Sequence, residues 1–246
     1  FGCGGSKAGV YPLWSKTHYC VWLLSKIQAP IVSAAIATRN DGLISSIMRL
    51  FGADIGHEVH WDADAVRIGV AIHLLKVGNK SSISSGTIVD TVQYRCDCIV
   101  IGPVTIGKNS FVGARAYLGP STVIGDETEI SPLCMVQFVK VNDNEKYSGV
   151  PGTCVGMVEP LPQVMKERRE AALGPYRWSP TYHATIQWLF ELFIRLVAIC
   201  AMVPFCILFY PSLSAVTLSA VVVASEVGYL AVWMPFFIYY RIVELI

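Results

Sequence analysis

A chain of 246 residues is long enough for one or two domains, and a formal net charge of +1 at pH 7 gives no reason to expect nucleic acid or an acidic polymer as partner. With 53% hydrophobic and only 15% charged residues it is too apolar for an ordinary water-soluble domain, and the excess is concentrated after about Thr185. The 8 cysteines form no CxxC pair, and at this chain length a disulfide scaffold is not expected, so a reducing compartment is the reading.

Residues 1–10 are Gly-rich and aperiodic and read as a linker or a truncated end. Tyr11–Ile36 is aromatic and aliphatic, broken by Lys16, His18 and Lys26. On a helix, Trp14, Tyr19, Trp22 and Leu23 share part of one face. Two readings stand: an amphipathic helix at a membrane surface, with Trp and Tyr at headgroup level, or a helix buried against the domain that follows. Asp41–Phe51 reads as a short helix, capped by Asn40 or Asp41 and ended at Gly52. Residues 11–52 are taken together as membrane-proximal helices.

From residue 53 the pattern changes. Ile55-Gly56, Ile68-Gly69 and Val77-Gly78 mark short, irregular strand-like elements, and Val77, Ile83 and Val89 fall six apart. Asp90–Cys98 breaks the phase and is placed as a loop excursion, in which Cys96 and Cys98 are expected to share a strand face. Val100–Val136 is regular: Ile106, Val112, Leu118, Ile124, Ile130 and Val136 recur at every sixth residue, and Gly107, Gly113, Gly119 and Gly125 each follow one of them. Such a repeat makes each hexad a short strand plus a turn, and three hexads one triangular coil. The aliphatics fill the prism, and the glycines allow close packing and unusual dihedrals at its corners. The phase is lost at Asn142–Lys146, and Tyr147-Ser-Gly-Val-Pro-Gly152 leads out. The expected fold of residues 53–158 is an all-β left-handed parallel β-helix.

Residues 159–184 are polar, with Pro160, Pro162, Pro175 and Pro180 and a basic cluster of Lys166, Arg168, Arg169 and Arg177, and read as a connector. Beyond it, 30 residues from Leu196 to Ser225 carry no charge, longer than one membrane span of about 20 requires. Tyr210-Pro-Ser212 is a good turn. Residues 185–246 therefore read as a C-terminal transmembrane helical hairpin, Ile186–Phe209 and Ser212–Trp233, or alternatively as one helix kinked at Pro204 and Pro211. Basic residues lie before the first helix and at Arg241, so the positive-inside rule puts the β-helix on the cytoplasmic side. Glu191 and Arg195 are four apart on one helix face, and in a hairpin Arg195 and Glu226 lie at similar depth. An interhelical ion pair between those two is expected; the alternative is snorkelling of Arg195.

The regular prism contains no histidine. His60 has Asp62 two residues on; on a strand both point the same way, so Asp62 is expected to orient the imidazole as a general base. The plainer alternative is a surface histidine. His73, before an aliphatic pair, is the second candidate base. His57 is expected to be exposed, and His18 and His183 to be interfacial. Cys134 reads as packing and Cys154 as a nucleophile only beside a base. No set of suitably spaced histidines points to a metal. Asn109, Ser110 and Arg115 fall on outward positions, where Arg115 either meets a phosphate or is a solvated corner.

Four features occur here in one order: Tyr11-Pro-Leu-Trp-Ser-Lys16, Leu50-Phe-Gly-Ala-Asp-Ile-Gly56, Ile101-Gly-Pro-Val-Thr-Ile-Gly107 and Tyr147-Ser-Gly-Val-Pro151. This order resembles the membrane-bound hexapeptide region of polyamino-acid synthetases of the Pls/PosA type, relatives of non-ribosomal peptide synthetases, and of related AMP-binding proteins. The resemblance implies membrane helices alternating with hexapeptide modules, so that the chain is a piece of something longer. It implies acyl or aminoacyl transfer from a thioester, on the phosphopantetheine arm of a carrier domain or on CoA, to an amine or hydroxyl. A histidine deprotonates the acceptor in that pattern. Gly149, Val150 and Pro151 resemble the loop bordering the acyl-donor groove. In the stretch Val89–Cys98, Thr91 and Arg95 or Asp97 correspond to the pattern, but Val92 stands where its histidine is expected. The competing expectation is therefore a catalytically silent scaffold. Either form is expected to pack against sibling modules or as a homotrimer.

Overall fold

The computed structural model describes residues 7–62, 66–159, 167 and 180–209. The chain divides into two compact units, 1–177 and 178–246.

The first unit is a parallel β-helix of three faces. Two- and three-residue strands alternate with tight corners, because each hexad has room for no more. Face 1 stacks β2 (Asp54–Ile55), β5 (Leu75–Val77), β10 (Val104–Ile106), β13 (Thr122–Ile124) and β16 (Lys140–Val141) in parallel. Face 2 stacks β3 (His60–Trp61), β6 (Ser82–Ile83), β11 (Phe111–Val112), β14 (Glu129–Ile130) and β17 (Glu145–Ser148), with β18 (Thr153–Met157) returning antiparallel on β17. Face 3 stacks β4 (Arg67–Ile68), β7 (Ile88–Val89), β12 (Tyr117–Leu118) and β15 (Met135–Val136). Val77, Ile83 and Val89 open the column of buried aliphatics, which continues through Ile106, Val112, Leu118, Ile124, Ile130 and Val136 to Val141. All six of the regular period-six positions are within 1% of complete burial.

Several corners differ from expectation. The glycines after the aliphatics do not take left-handed dihedrals. Those fall two residues later, on Glu58, Lys80, Asn109, Arg115, Glu127 and Leu133, all with φ between 52° and 60°. The glycines serve close approach instead: a Cβ on Gly107 would sit 2.6 Å from Asp126 N in the next coil. Ser110 is buried rather than outward, and its hydroxyl donates to Gly125 O at 2.7 Å. Ser81 donates to Gly107 O at 2.6 Å in the same way, so each inward hydroxyl satisfies a carbonyl one coil up.

The phase break is a hairpin, β8 (Val92–Arg95) and β9 (Cys98–Ile101), to which β1 (Gly9–Pro12) adds antiparallel. Val100 and Ile101 therefore belong to the excursion, and the prism resumes at Val104. Cys96 sits in the hairpin turn with φ 47°, so it does not share a strand face with Cys98. Ser15 caps α1 (Lys16–Ala37), accepting from His18 N. Val21 on this helix packs with Ile99 and Ile101, while Tyr19, Trp22, Leu23 and Ile27 on other sides stay exposed. The reading of a helix buried against the following domain holds for its Val21 face. By length and composition alone α1 could also cross a membrane.

Asn40 caps α2 (Asp41–Leu50), and Gly52 follows it with φ 90°. Leu43, Ile44, Ile47 and Met48 are buried, and α2 contacts β2 and β3. Arg49 donates to the carbonyls of Ile55 and Gly56 at 3.0 and 2.8 Å. The helix therefore plugs the first coil, as the terminal cap of a solenoid must.

In the second unit, α3 (Pro180–Phe209) includes the first predicted membrane helix. Arg195 lies 3.6 Å from Glu191, as the four-residue spacing requires. The predicted second helix, Ser212–Trp233, and the Glu226 partner expected for Arg195 lie outside the described residues, as does the connector except for residues 159, 167 and 180–184.

Candidate functional site

Faces 2 and 3 meet at an edge where the turns of successive coils stack. Asp62 enters this edge on the first coil, Ser85 and Gly86 form it on the second, Arg115 on the third, Leu133 on the fourth. Ser85 O accepts from Arg115 N, and Ala114 O accepts from Leu133 N, both at 2.9 Å. Gly149–Gly152 closes the column: Met135 N donates to Gly149 O at 3.1 Å and Gly152 N to Met135 O at 2.7 Å. Arg115 and Gly149, Val150 and Pro151 therefore share one edge, two coils or roughly 10 Å apart along the axis. Arg115 and Val150 are exposed, Val150 to 70%. Cys134, beneath this loop, is buried, and that burial pushes its thiol above the usual range.

The histidines lie elsewhere. His60 projects from face 2 of the first coil, about 19 Å along the axis from Gly149–Pro151. Its carboxylate partner is Asp41, with Nδ1 2.8 Å from Asp41 Oδ2, and not Asp62. The reason is length: β3 ends at Trp61, so Asp62 has already turned the corner, where its Oδ2 accepts from Ser85 N at 3.3 Å. Asp41 Oδ1 also accepts from Trp61 N, which ties α2 to this strand. Trp61 is buried and its Nε1 donates to Ser45 at 3.0 Å. His73 lies in a 3-10 turn (Ile72–Leu74) on the opposite edge, between faces 3 and 1, with its Cβ over Gly52. Among the described residues, no three His, Cys, Asp or Glu side chains gather to hold a metal ion.

Face 3 carries a cluster that the residue patterns did not single out. Arg67 and Tyr117 lie in one outward ladder on either side of Ile88, and Asp90, Gly119 and Gln137 follow the inward residues of the next positions. Asp90 N donates to Leu118 O and Gly119 N to Val136 O, which stacks the three. The excursion hairpin leans over this column: Gln93 Nε2 donates to Gln137 Oε1 at 3.1 Å, and the Arg95 guanidinium lies 5.2 Å over the Phe138 ring. Burial holds the Asp90 carboxyl above its ordinary value, against the pull of Arg67. Burial first, and the Asp90 charge second, raise the Tyr117 phenol, against Arg95. The alternation of a strand marks each of these residues as outward. Only their register across the hairpin insertion was hidden.

No protein-family model matches the chain. It is 26% identical over 156 residues to the Delta-poly-L-ornithine synthetase of Acinetobacter baumannii, covering 63% of this chain and 11% of that protein. Among solved structures it is similar to a maltose O-acetyltransferase from Clostridium difficile (13% identity, 62% of this chain and 94% of that one, TM-score 0.45). It is also similar to a hexapeptide-repeat acetyltransferase from Vibrio cholerae (12% identity, 57% and 93%, TM-score 0.43). The chain thus spans about a tenth of the length of the synthetase it matches, and over that span it resembles a Pls-type polyamino-acid synthetase, with a parallel β-helix of hexapeptide repeats as its fold.

Proposed function

We propose that this chain is a membrane-anchored module that transfers an acyl or aminoacyl group from a pantetheine thioester, on CoA or a carrier domain, to an amine or hydroxyl. The observation that carries this reading is the edge shared by Arg115 and Gly149–Pro151. An exposed guanidinium below an exposed loop on one straight edge suits a long arm with phosphate at one end. The likeness to a poly-L-ornithine synthetase supports it and makes an aminoacyl donor with an amine acceptor the first pair to test. Exposed Phe111, Leu133 and Phe138 suit packing against another prism, a sibling module or a second copy. Leu189, Phe190, Phe193, Ile194, Leu196 and Val197, exposed on α3, suit lipid, with the β-helix on the cytoplasmic side.

The test uses the full chain in detergent. Acetyl-CoA and S-ornithyl-pantetheine serve as donors, and L-ornithine and ethanolamine as acceptors, with released thiol as readout. Transfer is expected, and Arg115→Ala raises the KM for acetyl-CoA about tenfold through the lost phosphate contact, leaving that for S-ornithyl-pantetheine, which has no phosphate, unchanged. No release above the uncatalysed rate from either donor would sink the reading. The silent scaffold is favoured by one observation: His60 and His73 both lie away from the Arg115 edge.

A further inference from the structure

We propose that α1 is an interfacial helix: it lies flat in the headgroup layer of an anionic leaflet, with its Tyr19–Trp22 face toward the lipid and its Val21 face on the hairpin. The proposal rests on the membrane-anchored reading and adds to it a contact that the β-helix unit itself makes.

Both sides of α1 are apolar, and only one is covered. Val21, Val32 and Ala35 recur along the inner side and are buried. Tyr19, Trp22, Leu23 and Ile27 are exposed on the other. A helix that is apolar all round belongs in a core or in lipid. The exposed patch extends beyond the helix. The Trp14 and His18 ring centroids lie 5.5 Å apart, His18 and Tyr94 of β8 5.9 Å, and Tyr19 stacks on Trp22 at 5.7 Å. Trp14 is 90% exposed although its backbone is left-handed, with φ 64° and its N–H donating to His18 Nδ1 at 3.1 Å. Bulky residues rarely take that conformation, and a ring left this exposed gains no packing from it.

Charge names lipid rather than protein as the cover. Residues 1–40 contain Lys7, Lys16, Lys26 and Arg39 and no Asp or Glu. Lys16 and Lys26 are exposed, and the Lys26 ammonium lies 5.7 Å from the centre of the Trp22 ring. Lysine is depleted where protein meets protein. Lysine beside Trp and Tyr suits a headgroup layer that carries anionic lipid.

The ends of the helix decide how it meets that layer. By length and composition α1 could be a span. Its 22 residues extend about 33 Å, so a span would put its ends at opposite leaflets. Both ends are instead tied to one prism. β1, which ends at Pro12, pairs along β9, and α2, which begins at Asp41, contacts β2 and β3. The prism cannot follow either end into hydrocarbon, because its corners expose charges such as Lys108, Asp126 and Glu127. The helix therefore lies along the surface.

The experiment reconstitutes the full chain into vesicles of phosphatidylcholine and phosphatidylglycerol, with acyl chains brominated either near the headgroup or near the bilayer centre. Comparing the parent with Trp14→Phe and with Trp22→Phe isolates the fluorescence of each ring. Both emissions are expected to fall at least about twofold with shallow bromine and to change little with deep bromine. In phosphatidylcholine alone the loss is expected to be at most about half as large. Trp22 lies about 12 Å beyond Trp14 along the axis, so a Trp22 emission quenched more by deep bromine than by shallow marks a spanning helix and overturns the proposal. Emissions unquenched at either depth, in a chain that floats with the vesicles, overturn it too: they give the face to a protein partner or a second copy and leave the α3 anchor standing. Equal loss without phosphatidylglycerol overturns the anionic leaflet. A chain that does not float overturns this proposal and the membrane-anchored reading together.

Discussion

At the scale of single residues, the corners divide two tasks that the repeat seemed to combine. Gly107 is needed for lack of a Cβ, and Glu127, in the turn of the next coil, bears the left-handed backbone at φ 55°. The two should respond oppositely to substitution. Gly107→Ala sets a methyl against the backbone of Asp126, which cannot yield, and is expected to cost about 1–3 kcal/mol. Glu127→Gly removes a left-handed cost of about 1–2 kcal/mol against a glycine entropy of about 0.5–1 kcal/mol, and should be neutral to slightly stabilising. Thermal melts followed by circular dichroism check both.

Asp90 gives a pH-dependent prediction. Its folded pKa is raised by burial. Between the unfolded and folded values the native state holds the proton that the unfolded chain has lost. Stability therefore declines as pH rises through that window, and the full cost of the charged group persists above it. Asp90→Asn is expected to melt higher than the parent at pH 7, the gap closing as the pH falls below the unfolded value. A gap independent of pH would show that burial of the charge is not what Asp90 costs.

At the scale of elements, the hairpin is held from outside the prism. Ile99 and Ile101 are buried with Val21 of α1, and β1 pairs along β9. Ile99→Ala is expected to cost about 2–5 kcal/mol. In hydrogen exchange the loss of protection should fall on β1, β8 and β9 and spare β10 to β15, whose amides bond coil to coil. Loss spread evenly along the prism would show one cooperative unit instead. Here the sequence was legible in part. The phase break at Asp90 marked the insertion, but not that Tyr11 and Pro12 would pair with it, since a strand carries no signal of its partner at a distance of about ninety residues. For the same reason the column of Asp90, Gly119 and Gln137 was hidden. An insertion of irregular length resets the count, so the spacing of 29 from Asp90 to Gly119 does not announce neighbours one coil apart.

At the scale of the whole molecule, the division at residue 177 separates a β-helix that buries its own core from an apolar helix on which Leu189, Phe190, Phe193, Ile194, Leu196 and Val197 are exposed. Truncation after Arg177 is therefore expected to leave the melting of the β-helix within about 1 kcal/mol of the parent, while the full chain floats with liposomes in a density gradient and the truncated one does so more weakly. A truncated chain that floats as well as the full chain would assign membrane contact to α1 and its exposed Tyr19 and Trp22.

What the residues determined by themselves is the prism: a period of six needs no distant information, because each aliphatic stacks on an equivalent that the same repeat supplies. The cap at Asn40, the stop at Gly52 and the Glu191–Arg195 pair were legible for the same reason, being local. Tertiary structure alone decided which groups meet across coils. The closeness of Asp41 to His60, the departure of Asp62 into a corner, and the stacking of Asp90, Gly119 and Gln137 all depend on where a two-residue strand ends and how a hairpin shifts the register.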